Sequence, residues 1–215
     1  KEGMIVIANP NAPTGLALSK DEIEEILKNA KTAIVIIDEA YVDFGAESAA
    51  DLIPKYDNLI VVGTFSKSRS MAGIRIGYAL GQESLISDLH RIKYSFNPYS
   101  LDGLAVLAGK ASVEDREYFE STTKMVIKTR ENFIKELKTL GFEVFDSKAN
   151  FVFTKNDIIS GEELYKQLRE NNILVRYFDE NVLRDYVRIS IGSDENMEYT
   201  TNVLRGIIGN RGKHE

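Results

Sequence analysis

The sequence contains no cysteine and only two histidines, His90 and His214. Without cysteine the chain has no disulfide, no thiolate nucleophile and no Cys-ligated zinc, a composition that fits a cytoplasmic protein. Two histidines, one of them in a polar C-terminal tail, argue against a histidine-based triad or a metal cage. We therefore expect no metal, and the chemistry of the chain must come from other residue types.

Long apolar runs and clusters of basic residues are also lacking. No run of the sequence is long enough to cross a membrane, and the first ten residues lack the pattern of a signal peptide. The formal net charge is -6, and phosphate-backbone binding needs a basic surface that is not visible here. The sequence therefore predicts neither a membrane nor a nucleic-acid partner, so any anionic ligand must be held by local residues.

Short apolar runs dominate the first eighty residues, at 4–8, 33–37, 59–62 and 76–80. Continuous rather than alternating hydrophobicity is typical of strands that are covered on both faces. Between the first two runs, Ser19 and Glu22 have capping-box spacing before a helical apolar pattern. The order strand, helix, strand predicts an α/β fold with a mainly parallel sheet. Because the first strand starts abruptly, we also expect the chain to begin partway through a larger protein.

The second half of the chain has a different pattern. A helical segment broken near Asn97 is followed by one long helix that ends at Gly141, and then short strands alternate with helices starting near Ser160 and Asp194. This is typical of a smaller α+β unit. We predict a domain boundary near residue 112, which gives a larger domain over 1–112 and a smaller one over 113–215.

Polar residues follow the predicted strands of the first half, where the carboxyl ends of parallel strands form binding sites. They occur in the stretches NPNAPTG, DEAY and TFSK, and Arg75 precedes the fourth strand. Lys67 is either a solvated loop lysine or a partly desolvated amine that forms an imine with an aldehyde. Thr64, Ser66 and Arg75 have the donor types that suit a phosphate dianion. Together they indicate an aldehyde that carries a phosphate.

Other candidate residues have two or more interpretations each. Asp38 either faces a protonated heterocyclic nitrogen, caps the turn after its strand, or holds magnesium in a nucleotide hydrolase, although the Gly-rich loop of such enzymes is absent. Asn11 belongs either to a stiff turn or to a ligand site, and Tyr41 is either a core aromatic or a site residue. Arg176 and Arg188 either extend to the surface or bind an anion.

Six stretches taken together resemble the fold-type I pyridoxal-phosphate aminotransferases, and within that family the members that act on histidinol phosphate. They are ANPNAPTG, DEAYVDF, TFSKSRSMAGIRIGY, KANFVF, NILVRYF and VRISIGSDEN, in the order and spacing of the family. The resemblance spans nearly the whole chain. It implies the second half of the family's large pyridoxal-phosphate-binding domain followed by its small domain, with the first part of the large domain upstream of Lys1.

The resemblance also assigns roles to residues. It implies that Lys67 binds pyridoxal 5'-phosphate covalently, that Asp38 faces the pyridine nitrogen and that Tyr41 hydrogen-bonds the ring oxygen. Thr64, Ser66 and Arg75 would bind the cofactor phosphate, and Arg188, with Arg176 nearby, the acidic group of the substrate. The family has asparagine at the position of Ala12, so Asn11 would take over its contact with the ring oxygen.

The function implied is transamination of histidinol phosphate with 2-oxoglutarate, giving imidazole acetol phosphate and glutamate in histidine biosynthesis. A phosphothreonine-type decarboxylase of the same fold is the alternative within the family. The family's usual homodimer is the expected assembly, because its active site is shared across subunits. Residues 1–215 by themselves are expected to self-associate or to depend on upstream polypeptide, and to be inactive.

Overall fold

The structure, a computed structural model, describes residues 3–211 and the side chains of residues 3–209. It divides into two compact units, one formed by 3–11 and 17–123 and the other by 12–16 and 124–211. The division falls between Thr123 and Lys124, whereas the sequence predicted a boundary near residue 112. The correspondence of these two units to the large and small domains of the family stays a prediction. His214 lies outside the described residues.

The first unit contains a four-stranded sheet in the order β1-β2-β3-β4. Its strands are β1 (Gly3–Ala8), β2 (Ala33–Asp38), β3 (Leu59–Thr64) and β4 (Gly77–Gly81). The first three are parallel, as the sequence predicted, and β4 is antiparallel to β3. The segment 65–76 between β3 and β4 holds a 3-10 turn, Ala72–Ile74, but no α-helix of the kind that usually crosses over between parallel strands. The mainly parallel α/β class is confirmed.

Helix α1 (Lys20–Asn29) covers one face of this sheet. Ser19 caps it and forms the predicted capping box with Glu22. The helix, the sheet and the 3-10 turn Ala49–Leu52 share one core cluster. Its buried members are Ile23, Leu27, Val35, Ile37, Ala49, Leu52, Leu59 and Val61.

The opposite face of β1 is open. The side chains of Met4 and Val6 are 64% and 59% exposed. Within residues 3–211, the cover that the sequence predicted on both faces of the strands is present on one face of β1 only.

Two helices of the first unit follow β4. They are α2 (Glu83–Phe96) and α3 (Gly103–Glu114), on either side of the break predicted near Asn97. Asp102 caps α3 through a hydrogen bond from the Ala105 amide to its carboxylate, 2.7 Å. Along residues 3–211, no helix combines the length and apolar character needed to cross a membrane.

The second unit packs helices on an antiparallel sheet. Helix α4 (Arg116–Thr139) belongs to it from Lys124 onward, and α5 (Gly161–Glu170) and α6 (Asp194–Arg211) follow. The strands are β5 (Glu143–Val144), β6 (Phe151–Lys155), β7 (Arg176–Tyr177) and β8 (Val187–Ser190), in the order β5-β6-β8-β7. Their shared core includes Phe133, Leu137, Val152, Leu164, Leu168, Val187 and Leu204. The second unit is thus an α+β arrangement, as the sequence predicted for the second half of the chain.

Two glycines at equivalent helix positions give a matched stability test: Gly161 lies in the second unit, and Gly103, in the first unit, is its control. Gly161 is the first residue of α5, and a Cβ there would come within 2.7 Å of the Asp185 carbonyl carbon, a backbone atom that cannot rotate away. Gly161→Ala should therefore lower the free energy of unfolding by about 1–3 kcal/mol. Gly103 is the first residue of α3 and a Cβ there meets nothing within 4 Å, so Gly103→Ala should be neutral or slightly stabilising. Urea unfolding of both variants checks this, and equal effects would contradict it.

Candidate active site

The carboxyl ends of β2 and β3 place several predicted site residues at one edge of the sheet. Asp38 is the last residue of β2 and Thr64 the last of β3. Asp38 is paired in register with Val62, two residues before Thr64. Because side chains alternate along a strand, Asp38 and Thr64 project from the same face. This is the face opposite the core cluster shared with α1.

Lys67 lies in a tight turn directly after β3. The Lys67 carbonyl accepts a hydrogen bond from the Ser70 amide, 3.0 Å, and the Phe65 carbonyl accepts one from the Met71 amide, 3.0 Å. The Lys67 amine lies over the ring of Tyr41, 5.2 Å from its centroid. It forms no ion pair with any described residue. The turn therefore presents an amine that is not neutralised by a carboxylate.

Asp38 is partly satisfied by its own turn. Its Oδ1 accepts a hydrogen bond from the Ala40 amide, 3.0 Å, as the capping interpretation predicted. Within the described part of the chain, Oδ2 has no hydrogen-bond partner. One carboxylate oxygen is thus available to a donor from a ligand.

The residues predicted to bind a phosphate lie at the two ends of the segment 64–76. The Thr64 hydroxyl lies 2.9 Å from the Ser66 hydroxyl and accepts a hydrogen bond from the Ser66 amide, 3.1 Å. Arg75 is exposed, has a positive φ of 62°, and donates to the Ala72 carbonyl at 2.8 Å. The Ile76 carbonyl, next to Arg75, accepts a hydrogen bond from the Phe65 amide at 3.1 Å. This bond brings the two ends of the loop together.

The NPNAPTG stretch contains one structural asparagine and one candidate ligand. Asn9 is buried and binds Leu18 twice, accepting from its amide at 2.7 Å and donating to its carbonyl at 3.2 Å. The Asn9–Pro10 and Ala12–Pro13 peptide bonds are cis. Asn11 is partly exposed and belongs to the first unit, as do the other predicted cofactor residues.

The second unit contains both predicted substrate arginines. Arg176 of β7 and Arg188 of β8 are directly paired across the antiparallel strands. Both guanidinium groups lie over the ring of Phe178, at 5.3 and 6.0 Å, and Arg188 also lies over Phe151 at 4.9 Å. Neither forms an ion pair with a described residue, and Nε of Arg188 is buried without a hydrogen-bond partner among them. Two adjacent cations without an acidic partner indicate an anion site.

Comparison with known proteins decides the family. A family model described as aminotransferase class I and II matches residues 1–204. The chain belongs to the class I and II aminotransferases. The histidinol-phosphate aminotransferase of Brachyspira hyodysenteriae is 53% identical over 207 residues, which are 96% of this chain and 58% of that protein.

Solved aminotransferase structures have the same fold. The histidinol-phosphate aminotransferase of Clostridium acetobutylicum matches with a TM-score of 0.89 and 31% identity, covering 96% of this chain and 64% of that one. The enzyme of Sinorhizobium meliloti, solved in complex with pyridoxal-5'-phosphate, matches with a TM-score of 0.85 and 23% identity, covering 96% and 57%. The chain spans less than two thirds of the length of each of these three proteins. The predicted resemblance to the family is confirmed.

Membership in the aminotransferases removes one interpretation of Asp38. The match over residues 1–204 includes the strand that ends at Asp38, so the nucleotide-hydrolase interpretation is wrong. Among residues 3–211, no group of three histidine, aspartate or glutamate side chains is arranged to hold a metal ion.

Glu39, next to Asp38, is a buried acid that no pattern in the sequence marked as a candidate. Its carboxylate accepts hydrogen bonds from the Ser48 hydroxyl at 2.7 Å and the Ala49 amide at 2.6 Å. Burial raises the pKa of Glu39, and these two hydrogen bonds oppose the rise. Burial also raises the pKa of Tyr78, with smaller contributions from the charges of Asp43 and Glu39. Only the polar sequence DE after an apolar run hinted at Glu39, because its partners lie nine and ten residues away.

Replacing Glu39 with glutamine should flatten the pH dependence of stability. Because the pKa of Glu39 is raised in the folded state, its contribution is most favourable below its ordinary pKa of 4.5 and is lost as pH rises through the folded value. Glutamine can accept from the Ala49 amide and donate to the Ser48 hydroxyl without this titration. Urea unfolding at several pH values measures the slope.

The matched control for this prediction is Glu22→Gln. Hydrogen bonds from the Ser19 amide and hydroxyl lower the pKa of Glu22, so its contribution is present above pH 4.5 and lost as pH falls. The two variants should change the slope in opposite directions. An unchanged slope in Glu39→Gln would contradict the prediction.

Proposed function

We propose that the protein containing this chain is a pyridoxal-phosphate-dependent aminotransferase that converts histidinol phosphate and 2-oxoglutarate to imidazole acetol phosphate and glutamate. The observation that carries the proposal is the Lys67 amine, which forms no ion pair with a described residue and lies at the sheet edge that also holds Asp38 and Thr64. An amine not neutralised by a carboxylate and aimed into a site is the feature that imine chemistry needs.

The described residues fit the cofactor by the chemistry of their side chains. Lys67 would attach it covalently, and Asp38, whose Oδ2 lacks a partner among described residues, would accept from the ring nitrogen. The hydroxyls of Thr64 and Ser66 and the guanidinium of Arg75 would bind the phosphate. When bound, pyridoxal phosphate supplies an electron sink for the bond that is broken at the substrate carbon.

The chain's own residues would carry the remaining steps. Nζ of Lys67 would take the proton from the substrate carbon that bears the amine. The negative charge of Asp38 would keep the ring nitrogen protonated. Tyr41, and Asn11 in place of the family's asparagine at Ala12, would hydrogen-bond the ring oxygen.

The pair of arginines supports a phosphate-bearing substrate. Arg176 and Arg188 are cross-strand neighbours, and like charges directly opposite each other destabilise a sheet. A dianion would offset both charges, and guanidinium groups suit the geometry of phosphate oxygens. The Brachyspira relative, 53% identical, is a histidinol-phosphate aminotransferase and is thus named for a substrate that carries a phosphate.

We also propose that the protein is a cytoplasmic homodimer. Several large apolar side chains on α2 and α3 are more than half exposed in the single chain, among them Ile92 (66%), Phe96 (91%), Leu104 (79%) and Leu107 (66%). Exposed apolar surface of this kind is typical of subunit interfaces. Analytical ultracentrifugation should give the dimer mass, and a charged residue at Phe96 should weaken the association.

An assay with paired substrates tests the proposed reaction. The protein that contains this chain, loaded with pyridoxal phosphate, should form glutamate from 2-oxoglutarate when histidinol phosphate is the amino donor. Histidinol, which lacks the phosphate, is the matched control and should react far more weakly. Release of carbon dioxide from O-phosphothreonine, without glutamate formation, would instead favour the decarboxylase alternative.

A further inference from the structure

Ser68, the residue directly after Lys67, makes a short hydrogen bond that none of the roles assigned above requires. The side chain is only 7% exposed. Its hydroxyl donates to Oδ2 of Asp43 at 2.5 Å. A hydrogen bond to a carboxylate is stronger than one between neutral groups, so it can hold a turn in place.

This hydrogen bond connects the turn of Lys67 to the turn of Tyr41. Asp43 lies in the 3-10 turn Val42–Phe44 that follows Tyr41. The two turns extend from neighbouring strands, which are joined at this end by the hydrogen bond from the Glu39 amide to the Val62 carbonyl, 2.8 Å. Beyond that point the Ser68–Asp43 hydrogen bond fixes the backbone next to Lys67 against the backbone next to Tyr41.

A separate contact holds the other side of the Lys67 turn. The guanidinium of Arg69 lies 4.2 Å from the centroid of Phe119 and 5.2 Å from that of Phe65. It also donates to the Ser112 carbonyl at 2.5 Å. The Arg69 contacts tie the turn to α3 and α4. Loss of the Ser68 hydroxyl should therefore leave the turn folded while releasing it from the side of Tyr41.

We propose that Ser68 and Asp43 are positioning residues that hold the Lys67 amine over the Tyr41 ring, ready for attachment of the cofactor. The inference rests on the proposed function for the identity of the cofactor, but not for the position of the amine. Attachment joins the Lys67 nitrogen to the aldehyde carbon of pyridoxal phosphate and releases one water molecule, with no oxidation or reduction. The amine must meet the aldehyde in one orientation, so its placement affects the rate of this step.

Competitive labelling of lysines in the cofactor-free protein measures the position of the amine directly. The protein is treated with a trace of acetic anhydride, and mass spectrometry gives the acetylation of Lys67 relative to that of the exposed Lys28. Ser68→Ala and Asp43→Ala should each change this ratio by about tenfold, the equivalent of one hydrogen bond to a charged group at the lower end of its usual strength. The double variant should change it no further, because both substitutions remove the same interaction.

Three further measurements separate positioning from a general loss of stability. Asp43→Asn keeps an oxygen that accepts from Ser68 and should restore the wild-type ratio. Tyr56→Phe removes another hydroxyl-to-carboxylate bond of the same unit, from Tyr56 to Glu24 at 3.1 Å, and should not change the ratio. With pyridoxal phosphate added, the rate of borohydride-trappable attachment to Lys67 should fall by a similar factor in the two alanine variants.

The outcomes separate this inference from the proposed function. A wild-type protein that is never trapped at Lys67 contradicts the proposed function, while a changed labelling ratio in Ser68→Ala still supports the positioning role. Wild-type ratios in both folded alanine variants would overturn the inference. So would an Asp43→Asn variant that behaves like Asp43→Ala, since the carboxylate charge rather than the hydrogen bond would then be responsible.

Discussion

Replacement of Lys67 with alanine should abolish turnover while leaving the free energy of unfolding nearly unchanged. The Lys67 side chain has no ion-pair partner among the described residues, so its removal breaks no stabilising salt bridge. Its amine, however, is the proposed point of covalent attachment and the proposed base, two roles that alanine cannot fill. Steady-state kinetics measure turnover, visible absorbance reports the bound cofactor, and urea unfolding gives the free energy of unfolding.

The matched control is an exposed lysine of the same unit. Lys28 forms a surface ion pair with Glu24 at 3.2 Å, and Lys28→Ala should keep both activity and cofactor absorbance. Borohydride reduction of the loaded wild-type protein should fix a phosphopyridoxyl group on the peptide that contains Lys67. Recovery of that group on another lysine would show that the attachment residue is wrongly assigned.

Replacement of Arg188 with lysine should weaken binding of the phosphate-bearing substrate roughly tenfold, because an ammonium keeps the charge but cannot form a two-pronged contact with phosphate oxygens. Loading with pyridoxal phosphate should survive, since the residues proposed to bind it belong to the first unit. The Michaelis constants for histidinol phosphate and 2-oxoglutarate measure the effect.

Arg184→Lys is the control for this variant. Arg184 is an exposed arginine of the same unit that donates to the side chain of Asn181 at 2.8 Å, and its replacement should change neither constant. If Arg188→Lys also left both constants unchanged, Arg188 would be a surface-directed arginine without a role in substrate binding.

Local patterns predicted the elements well because their signals lie within a few residues. The capping box of Ser19 and Glu22 and the apolar runs at β1 and β2 required no knowledge of the rest of the chain. The direction of β4 could not be predicted in this way. Its pairing with β3 depends on how the loop 65–76 folds, and the apolar run is equally compatible with a parallel or an antiparallel neighbour.

The candidate site was predicted only in part for the same reason. Lys67, Asp38 and Thr64 were recognisable as candidates because each lies at or just after the end of an apolar strand. The hydrogen bond between Ser68 and Asp43 joins residues 25 positions apart, and no pattern in the sequence pairs a serine with one particular acid at that distance. Likewise, Arg176 and Arg188 were both candidates, but their direct pairing depends on the register of β7 and β8.

The paired arginines imply a trade-off between stability and function in the second unit. Without an anion, the repulsion between Arg176 and Arg188 lowers the free energy of unfolding, and substitution of either by a neutral residue would relieve it. A bound phosphate group would offset the repulsion, so we expect the melting temperature of this unit to rise when the proposed substrate occupies the pair. Selection for stability alone would remove one of the two charges. The unit keeps both, and we expect part of its stability to depend on the anion that is proposed to bind there.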